Sequence, residues 1–212
     1  MFFRDLKKAC LLFVVALCTT NIAYAEDIDL FILAGQSNAL GWAGDAAFYP
    51  EDRHNLDSDI RFYWFAPGFS SSRGKWTTLQ AQEGIYHKGH FGPEVTFARS
   101  LKAAGYNPAL FKYSRGSTSI AHHWGRPGDG RMYDQMASEL KKALLRLRQE
   151  GHRVTVRGLV WIQGESDAET PEMAKAYQSR LKTLIHDFRR HVIRHPRLAV
   201  MLGVDERHHL VK

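Results

Sequence analysis

A mainly apolar segment that stops at a polar tetrapeptide is the feature that most constrains the fold of this chain. Residues 28–33 are predominantly apolar, and residues 35–38, which follow them closely, read Gly-Gln-Ser-Asn. A short apolar run is typical of a strand buried inside a parallel sheet. Such sheets bind their ligands at the carboxyl ends of the strands. The pattern therefore places Ser37 where chemistry is expected, and we interpret this serine as a nucleophile.

The rest of the chain alternates strand-like and helix-like segments. The hydrophobic pattern predicts helices that begin near Pro93, at Met132 and at Pro171, and strands over residues 109–113, 154–162 and 198–204. This alternation indicates a single α/β domain with a mainly parallel sheet. The segment 42–92 is rich in aromatic residues and predicts loops with a hairpin near residues 60–65. These loops either form a wall of the substrate site or cover one edge of the sheet.

The first 25 residues have the composition of a secretory signal. Basic side chains within residues 4–8 precede an apolar run over 9–17, and residues 23–25 read Ala-Tyr-Ala, a small-x-small cleavage pattern. The apolar run is too short to span a membrane, although an uncleaved anchor remains an alternative. We therefore expect residues 1–25 to be a signal peptide and residues 26–212 to be a secreted or periplasmic domain without a stable membrane anchor.

Composition limits the classes of function that remain. Both cysteines, Cys10 and Cys18, lie in the predicted signal, so disulfides and thiolate metal sites are not expected in the mature protein. The formal net charge is +7, but many basic residues lie on predicted helices and no nucleic-acid motif accompanies them. The histidines show no metal-ligand spacing. We therefore expect no cofactor, no metal and no nucleic-acid partner, and the sequence carries no signal of oligomeric state.

Three predicted strands end in polar residues, and together they contain most of what a serine esterase requires. Such an enzyme needs a nucleophile, a histidine base, a group that orients the histidine, and donors for the oxyanion. Ser37 would be the nucleophile, and backbone N–H groups near Ser37 and Gly116, with the amide of Gln163, would be the donors. One oxyanion donor typically contributes about 3 kcal/mol to transition-state stabilisation. The chain has no Gly-x-Ser-x-Gly sequence, which disfavours the ordinary α/β-hydrolase arrangement.

Four motifs, in this order, carry a family resemblance. They are Gly-Gln-Ser-Asn at 35–38, Phe-Gly-Pro-Glu at 91–94, Arg-Gly-Ser-Thr-Ser at 115–119 and Trp-Ile-Gln-Gly-Glu-Ser-Asp at 161–167. Together they resemble the carbohydrate esterases of the SGNH superfamily, and in particular the sialate O-acetylesterase and acetylxylan esterase group. The resemblance implies a three-layer α/β/α flavodoxin-like fold. It also implies metal-independent removal of O-acetyl groups from carbohydrate, either sialic acid or an acetylated polysaccharide.

The same resemblance implies a role for each matching residue. The expected roles are nucleophile for Ser37, oxyanion stabilisation for Gly116 and Gln163, and shaping of the site for Gln36, Asn38 and Glu165. Two alternatives stay open at this point. Ser37 could instead cap a short helix. Glu165 could serve only to hold the Ser37 loop through hydrogen bonds.

The end of the chain leaves two hypotheses open. Asp205 and His208 have the Asp-x-x-His spacing with which a carboxylate orients a histidine base. In the family, however, a further helix and strand precede that catalytic loop, whereas only eight residues follow Val204 here. Either Asp205 and His208 complete the triad in a rearranged terminus, or the chain lacks the last strand and helix and is an inactive, truncated sugar-binding remnant. His122 and His123 are alternative bases, although surface or substrate-contacting roles also fit them.

Overall fold

The computed structural model describes residues 26–203, so the predicted signal peptide, Asp205 and His208 lie outside the described residues. The strands are β1 (Asp27–Gly35), β2 (Arg61–Ala66), β3 (Ser70–Ser71), β4 (Thr77–Thr78), β5 (Pro108–Ser114), β6 (Arg153–Ile162) and β7 (Ala199–Gly203). The α-helices are α1 (Ser37–Leu40), α2 (Glu94–Ala103), α3 (Met132–Gln149) and α4 (Pro171–Asp187). Over residues 26–203, the structure contains no helix of the length and apolarity needed to cross a membrane.

The strands form one mixed sheet in the order β3-β2-β5-β1-β6-β7, with β4 also paired to β2. The five strands from β2 to β7 in this order are parallel to their neighbours, and only β3 and β4 run antiparallel to β2. The mainly parallel sheet predicted from the sequence is therefore confirmed. The hairpin predicted near residues 60–65 is also present, as β2 and β3. The sequence did not show that β2 joins the central sheet, because its partner β5 lies more than 40 residues further along the chain.

Alternate residues of β1 belong to two different apolar clusters. Leu30 and Ile32 pack in a cluster that contains buried residues of α3 and α4. Leu33 packs in a second cluster, which contains Ala98 of α2. Side chains of a strand alternate between the two faces of the sheet. The helices therefore cover both faces, as the alternation of strands and helices predicted.

The ends of the helices follow local sequence signals. The Thr170 side chain accepts a hydrogen bond from the N–H of Met173, so it caps α4, which begins at Pro171. Helix α2 begins directly after Pro93, with Glu94 in its first turn. Both beginnings agree with the positions predicted from the sequence.

The ends of the three central strands lie side by side. Gly35 of β1 pairs with Ser114 of β5 on one side and with Ile162 of β6 on the other. Because these strands are parallel, their carboxyl ends lie on the same edge of the sheet. The segments that follow them, which begin at Gln36, Arg115 and Gln163, therefore start at neighbouring positions on that edge.

A buried ion pair connects the centre of the sheet to α2. The Lys112 Nζ donates to Glu94 Oε2 at 2.6 Å, and both side chains are fully buried. Glu94 Oε1 accepts from the Gln82 amide at 2.8 Å and from the Gly92 N–H at 2.7 Å. Burial lowers the pKa of Lys112, and the neighbouring Glu94 carboxylate opposes this shift. The Glu94 carboxylate therefore stabilises the charged form of Lys112 in an interior that disfavours an unpaired charge.

We expect Lys112→Met to lower the free energy of unfolding by about 3–5 kcal/mol, because it leaves the Glu94 carboxylate buried without its counter-charge. The double variant Lys112→Met/Glu94→Gln removes both charges and should be less destabilised than the single variant. Chemical denaturation followed by circular dichroism measures both values. A Lys112→Met protein as stable as the wild type, or a double variant less stable than the single one, would contradict this account.

Candidate active site

The turn after β1 requires a glycine at position 35. Gly35 has a φ of +154°, and a Cβ on this residue would lie 1.9 Å from the carbonyl oxygen of Ile162. The next residue, Gln36, donates its N–H to that same oxygen at 2.9 Å. Any larger side chain at position 35 would separate the ends of β1 and β6.

Ser37 is the first residue of the short helix α1 and is partly exposed. Its carbonyl oxygen accepts hydrogen bonds from the N–H groups of Gly41 and Trp42, at 3.0 and 3.1 Å. The Lys112 Nζ donates to the carbonyl of Leu40, the last residue of α1, at 3.0 Å. The buried ion pair is thus bonded directly to the helix that begins with Ser37.

Gly116 lies next to Ser37. A Cβ built on Gly116 would lie 3.9 Å from the Ser37 Cβ, and the N–H of the preceding Arg115 donates to the Gly35 carbonyl at 3.2 Å. Within residues 26–203, the Gly116 N–H donates no hydrogen bond to the protein. The structure thus brings two of the predicted site residues together, and it leaves a backbone donor beside the serine.

Gln163 is buried behind these residues, and its amide is already bonded within the protein. The Gln163 Nε2 donates to the Thr118 carbonyl at 2.9 Å and to Asp167 Oδ2 at 2.7 Å, and it lies 3.2 Å from Gln36 Oε1. The Tyr177 hydroxyl of α4 donates to the Gln163 carbonyl. Both N–H bonds of the amide thus have protein acceptors, and the oxyanion role of Gln163 stays a prediction.

Asp167, the last residue of the motif at 161–167, is fully buried and binds the segment that directly follows the motif at 115–119. Its carboxylate accepts from the N–H groups of Ile120 and Ala121, at 2.7 and 3.1 Å, and from the Gln163 amide. These bonds fix the segment that follows Gly116 against the end of β6. No role for Asp167 was predicted from the sequence, although it is the last residue of the motif at 161–167.

The Gln36 amide joins the first and last motifs in either of its two orientations. With its oxygen toward β6, Oε1 accepts from the N–H groups of Gly164 and Ser166 at 3.3 and 3.4 Å. With the amide reversed, the nitrogen donates to the Thr118 carbonyl and to Glu165 Oε2, each at 3.1 Å. Gln36 is 3% exposed, so these contacts satisfy a buried polar group.

Asn38 and Glu165 form a direct contact across the site. The Asn38 Nδ2 donates to Glu165 Oε1 at 2.6 Å, which links the residue after Ser37 to the turn after β6. This bond agrees with the alternative in which Glu165 holds the Ser37 loop in place. Among the residues described, no side chain forms a hydrogen bond with the Ser37 hydroxyl.

The two histidines considered as alternative bases are exposed residues of the π-helical turn Ile120–Trp124, whose first and last residues are buried. The Ser119 N–H donates to His123 Nδ1 at 3.0 Å, so this ring nitrogen is used as an acceptor within the turn. His122 is exposed, and its carbonyl accepts from Arg131 at 3.3 Å. Neither ring is bonded to Ser37.

The motif at residues 91–94 packs against the turn that follows α1. A Cβ on Gly41, whose φ is +88°, would lie 2.1 Å from the Phe91 carbonyl oxygen, and a Cβ on Gly92 would lie 3.0 Å from the Gly41 Cα. Glycines thus allow the turn after α1 to pack closely on the backbone that leads into Glu94. Glu94 of this motif is also the partner of Lys112 in the buried ion pair. No role for Lys112 was predicted from the sequence, although a lysine is unusual in a buried strand.

Three solved structures share this α/β fold. A protein from Arabidopsis thaliana aligns with a TM-score of 0.57 and 22% identity, covering 84% of this chain and 73% of its own. The protein NanS aligns with a TM-score of 0.60 and 17% identity, over 85% of this chain and 68% of its own. A protein described as a novel carbohydrate acetylesterase from Xanthomonas citri has a TM-score of 0.53 and 21% identity, over 82% of this chain and 40% of its own.

The sequence itself identifies the family. The family described as carbohydrate esterase, sialic acid-specific acetylesterase, matches residues 27–209. The chain therefore belongs to this carbohydrate esterase family. A comparison with curated proteins gave no match.

We expect Asp167→Asn to destabilise the fold by about 1–3 kcal/mol, because the new amide nitrogen would face N–H groups that now donate to a carboxylate oxygen. Glu169→Gln, an exposed change two residues away, is the matched control and should leave the free energy of unfolding within about 0.5 kcal/mol of the wild type. Urea denaturation measures both. Equal stability of the two variants would show that Asp167 does not fix the site.

Proposed function

We propose that this chain is a secreted serine esterase that removes O-acetyl groups from carbohydrate. The observation that carries the proposal is the position of Gly116 beside Ser37 at the carboxyl edge of the sheet, in a chain of a carbohydrate esterase family. The substrate is either O-acetylated sialic acid or an acetylated polysaccharide. Secretion rests on the signal-like composition of residues 1–25.

The proposed reaction proceeds through a covalent acetyl–serine intermediate. Ser37 Oγ attacks the acetyl carbonyl, and the base accepts the hydroxyl proton. The N–H groups of Gly116 and Ser37 stabilise the negative charge that develops on the carbonyl oxygen. The tetrahedral intermediate then collapses, and the protonated base gives its proton to the departing sugar oxygen. Water, activated by the same base, hydrolyses the acetyl–Ser37 ester to acetate and restores the serine.

We assign the base to His208 and its orienting carboxylate to Asp205. The Asp-x-x-His spacing supports this assignment. The positions of the two alternative bases, His122 and His123, also favour it. Neither His122 nor His123 is bonded to Ser37, and the His123 Nδ1 is engaged with Ser119. The family match extends to residue 209 and so includes both residues of the proposed pair.

Gln36, Asn38, Glu165 and Gln163 are proposed to shape the site rather than to react. Each joins two of the motifs through side-chain hydrogen bonds, and the Asn38–Glu165 bond at 2.6 Å lies next to the nucleophile. Gln163 contributes an oxyanion donor if one of its N–H bonds turns from Asp167 or Thr118 to the substrate. The whole arrangement fits the three-layer flavodoxin-like fold of SGNH hydrolases.

We expect Ser37→Ala to lower the release of acetate from acetyl esters by at least about 10³-fold, because the nucleophile is removed while the fold is kept. Ser138→Ala, an exposed change on α3, is the matched control and should retain wild-type rates. The measurement is release of p-nitrophenol from p-nitrophenyl acetate together with release of acetate from acetylated sugars. Equal rates for the wild type and Ser37→Ala would refute the proposal.

We expect His208→Ala to lower kcat by about 10²–10⁴-fold, which is the usual contribution of a general base. His87→Ala, an exposed histidine change in a loop, is the control. The pH dependence of kcat in the wild type should show loss of activity below the pKa of one histidine, because the protonated ring cannot accept the serine proton.

A folded His208→Ala protein with wild-type kcat would show that another residue is the base. A wild-type protein that binds acetylated sugar without turnover would instead indicate a sugar-binding remnant.

A further inference from the structure

Two large aromatic side chains stand exposed beside the turn that carries Ser37. Trp42 is 53% exposed and Phe69 is 48% exposed. Their rings contact each other in an edge-to-face arrangement, with centroids 6.5 Å apart. They come from different loops, one after α1 and one between β2 and β3. Exposed apolar surface assembled from separate loops marks a binding site more often than chance exposure does.

The backbone holds Trp42 at a fixed position relative to the nucleophile. The Trp42 N–H donates to the Ser37 carbonyl at 3.1 Å, and the Tyr86 hydroxyl donates to the Trp42 carbonyl at 2.9 Å. Both polar groups of the Trp42 backbone are therefore satisfied by other parts of the site. An exposed tryptophan on so restrained a backbone is preorganised for a contact rather than left free on the surface.

The segment that holds Trp42 is itself strained. Ile85 has a φ of +62°, a region that a β-branched residue rarely adopts, and the Tyr86 N–H donates to the Gly84 carbonyl at 2.8 Å across it. Such conformations cost free energy and persist mainly where a function depends on them. Here the strained turn presents the Tyr86 hydroxyl to the Trp42 backbone.

We infer that Trp42, which Phe69 contacts edge-to-face, forms an aromatic platform whose indole face stacks against a pyranose ring of the acetylated carbohydrate. This inference rests on the proposed function, which supplies the sugar as occupant. The C–H groups on one face of a pyranose are apolar and suit the face of an indole, while the hydroxyl groups at its edge stay in water. The platform lies next to Ser37, so it would select esters that carry a sugar ring near the acetyl group.

The test compares an acetylated sugar with an acetyl ester that has no ring. The substrates are partially O-acetylated xylo-oligosaccharides, 9-O-acetyl-N-acetylneuraminic acid and triacetin, and the measured quantity is the ratio of kcat/KM on the better sugar to kcat/KM on triacetin. We expect Trp42→Ala and Phe69→Ala to lower this ratio about fivefold to tenfold, through KM for the sugar, which is the size of effect typical of one aromatic contact. Trp42→Phe should recover at least half of the loss.

Tyr106→Ala is the matched control. Tyr106 is 41% exposed and lies just before β5, at the opposite edge of the sheet from Ser37. Its removal should leave the ratio within about twofold of the wild type. A ratio unchanged in Trp42→Ala and Phe69→Ala, or lowered equally in Tyr106→Ala, would overturn the platform. Thermal melts of each variant establish that the folded protein is compared.

A binding measurement separates this inference from the proposed function. If the wild type hydrolyses none of the esters, the proposed function fails, and the platform is then tested by isothermal titration calorimetry with the same two sugars, a measurement that does not depend on Trp42 as a reporter. A dissociation constant at least fivefold weaker in Trp42→Ala than in Tyr106→Ala would support the platform without catalysis. Absence of sugar binding by the wild type, or self-association through this face in sedimentation that Trp42→Ala abolishes, would overturn it.

Discussion

The close approach of Gly35 to the end of β6 is the constraint on which the rest of the site depends. A Cβ at this position would lie 1.9 Å from the Ile162 carbonyl oxygen, which already accepts the Gln36 N–H. Because only glycine permits this contact, the chain can leave β1 and begin α1 directly beside the neighbouring strand. Ser37 is thereby placed within reach of segments that arrive from β5 and β6.

Two buried networks then keep these segments in place. On one side of the sheet, Lys112 and Glu94 form an ion pair that also bonds to the last carbonyl of α1. At the carboxyl edge, Asp167 accepts from two backbone N–H groups and from the Gln163 amide. Buried polar groups of this kind contribute little net stability, but they penalise any arrangement in which a partner is missing. They therefore define the geometry of the site more than they strengthen the fold.

The region between α1 and α2 contributes the aromatic side chains that surround the Ser37 turn. It contains no long element, yet it contributes β2 and the two short strands β3 and β4 to the sheet, and it places Trp42, Phe69 and Tyr86 around the Ser37 turn. Trp42, Phe69 and Tyr86 belong to neither apolar cluster, whereas other residues of this region, among them Ile60 and Leu79, pack in the second cluster. The proposed sugar-binding surface thus combines Trp42, from the turn that follows α1, with Phe69, from the loop between β2 and β3.

The sequence by itself determined the strands β1, β5, β6 and β7, the helices α2, α3 and α4, and the polar ends of the three central strands, because burial on both faces, helical periodicity and capping residues are local signals. It also indicated Ser37, Gly116 and the family. Only the tertiary structure decided that β2 lies in the central sheet, that the Gln163 amide is occupied, and that Asp167 binds the segment after Ser119. Each of these depends on partners distant in sequence, and pairings over such distances leave no periodic pattern in the chain. The tertiary structure also decided the packing of Trp42 on Phe69, since contact between two loops follows from the fold that brings them together.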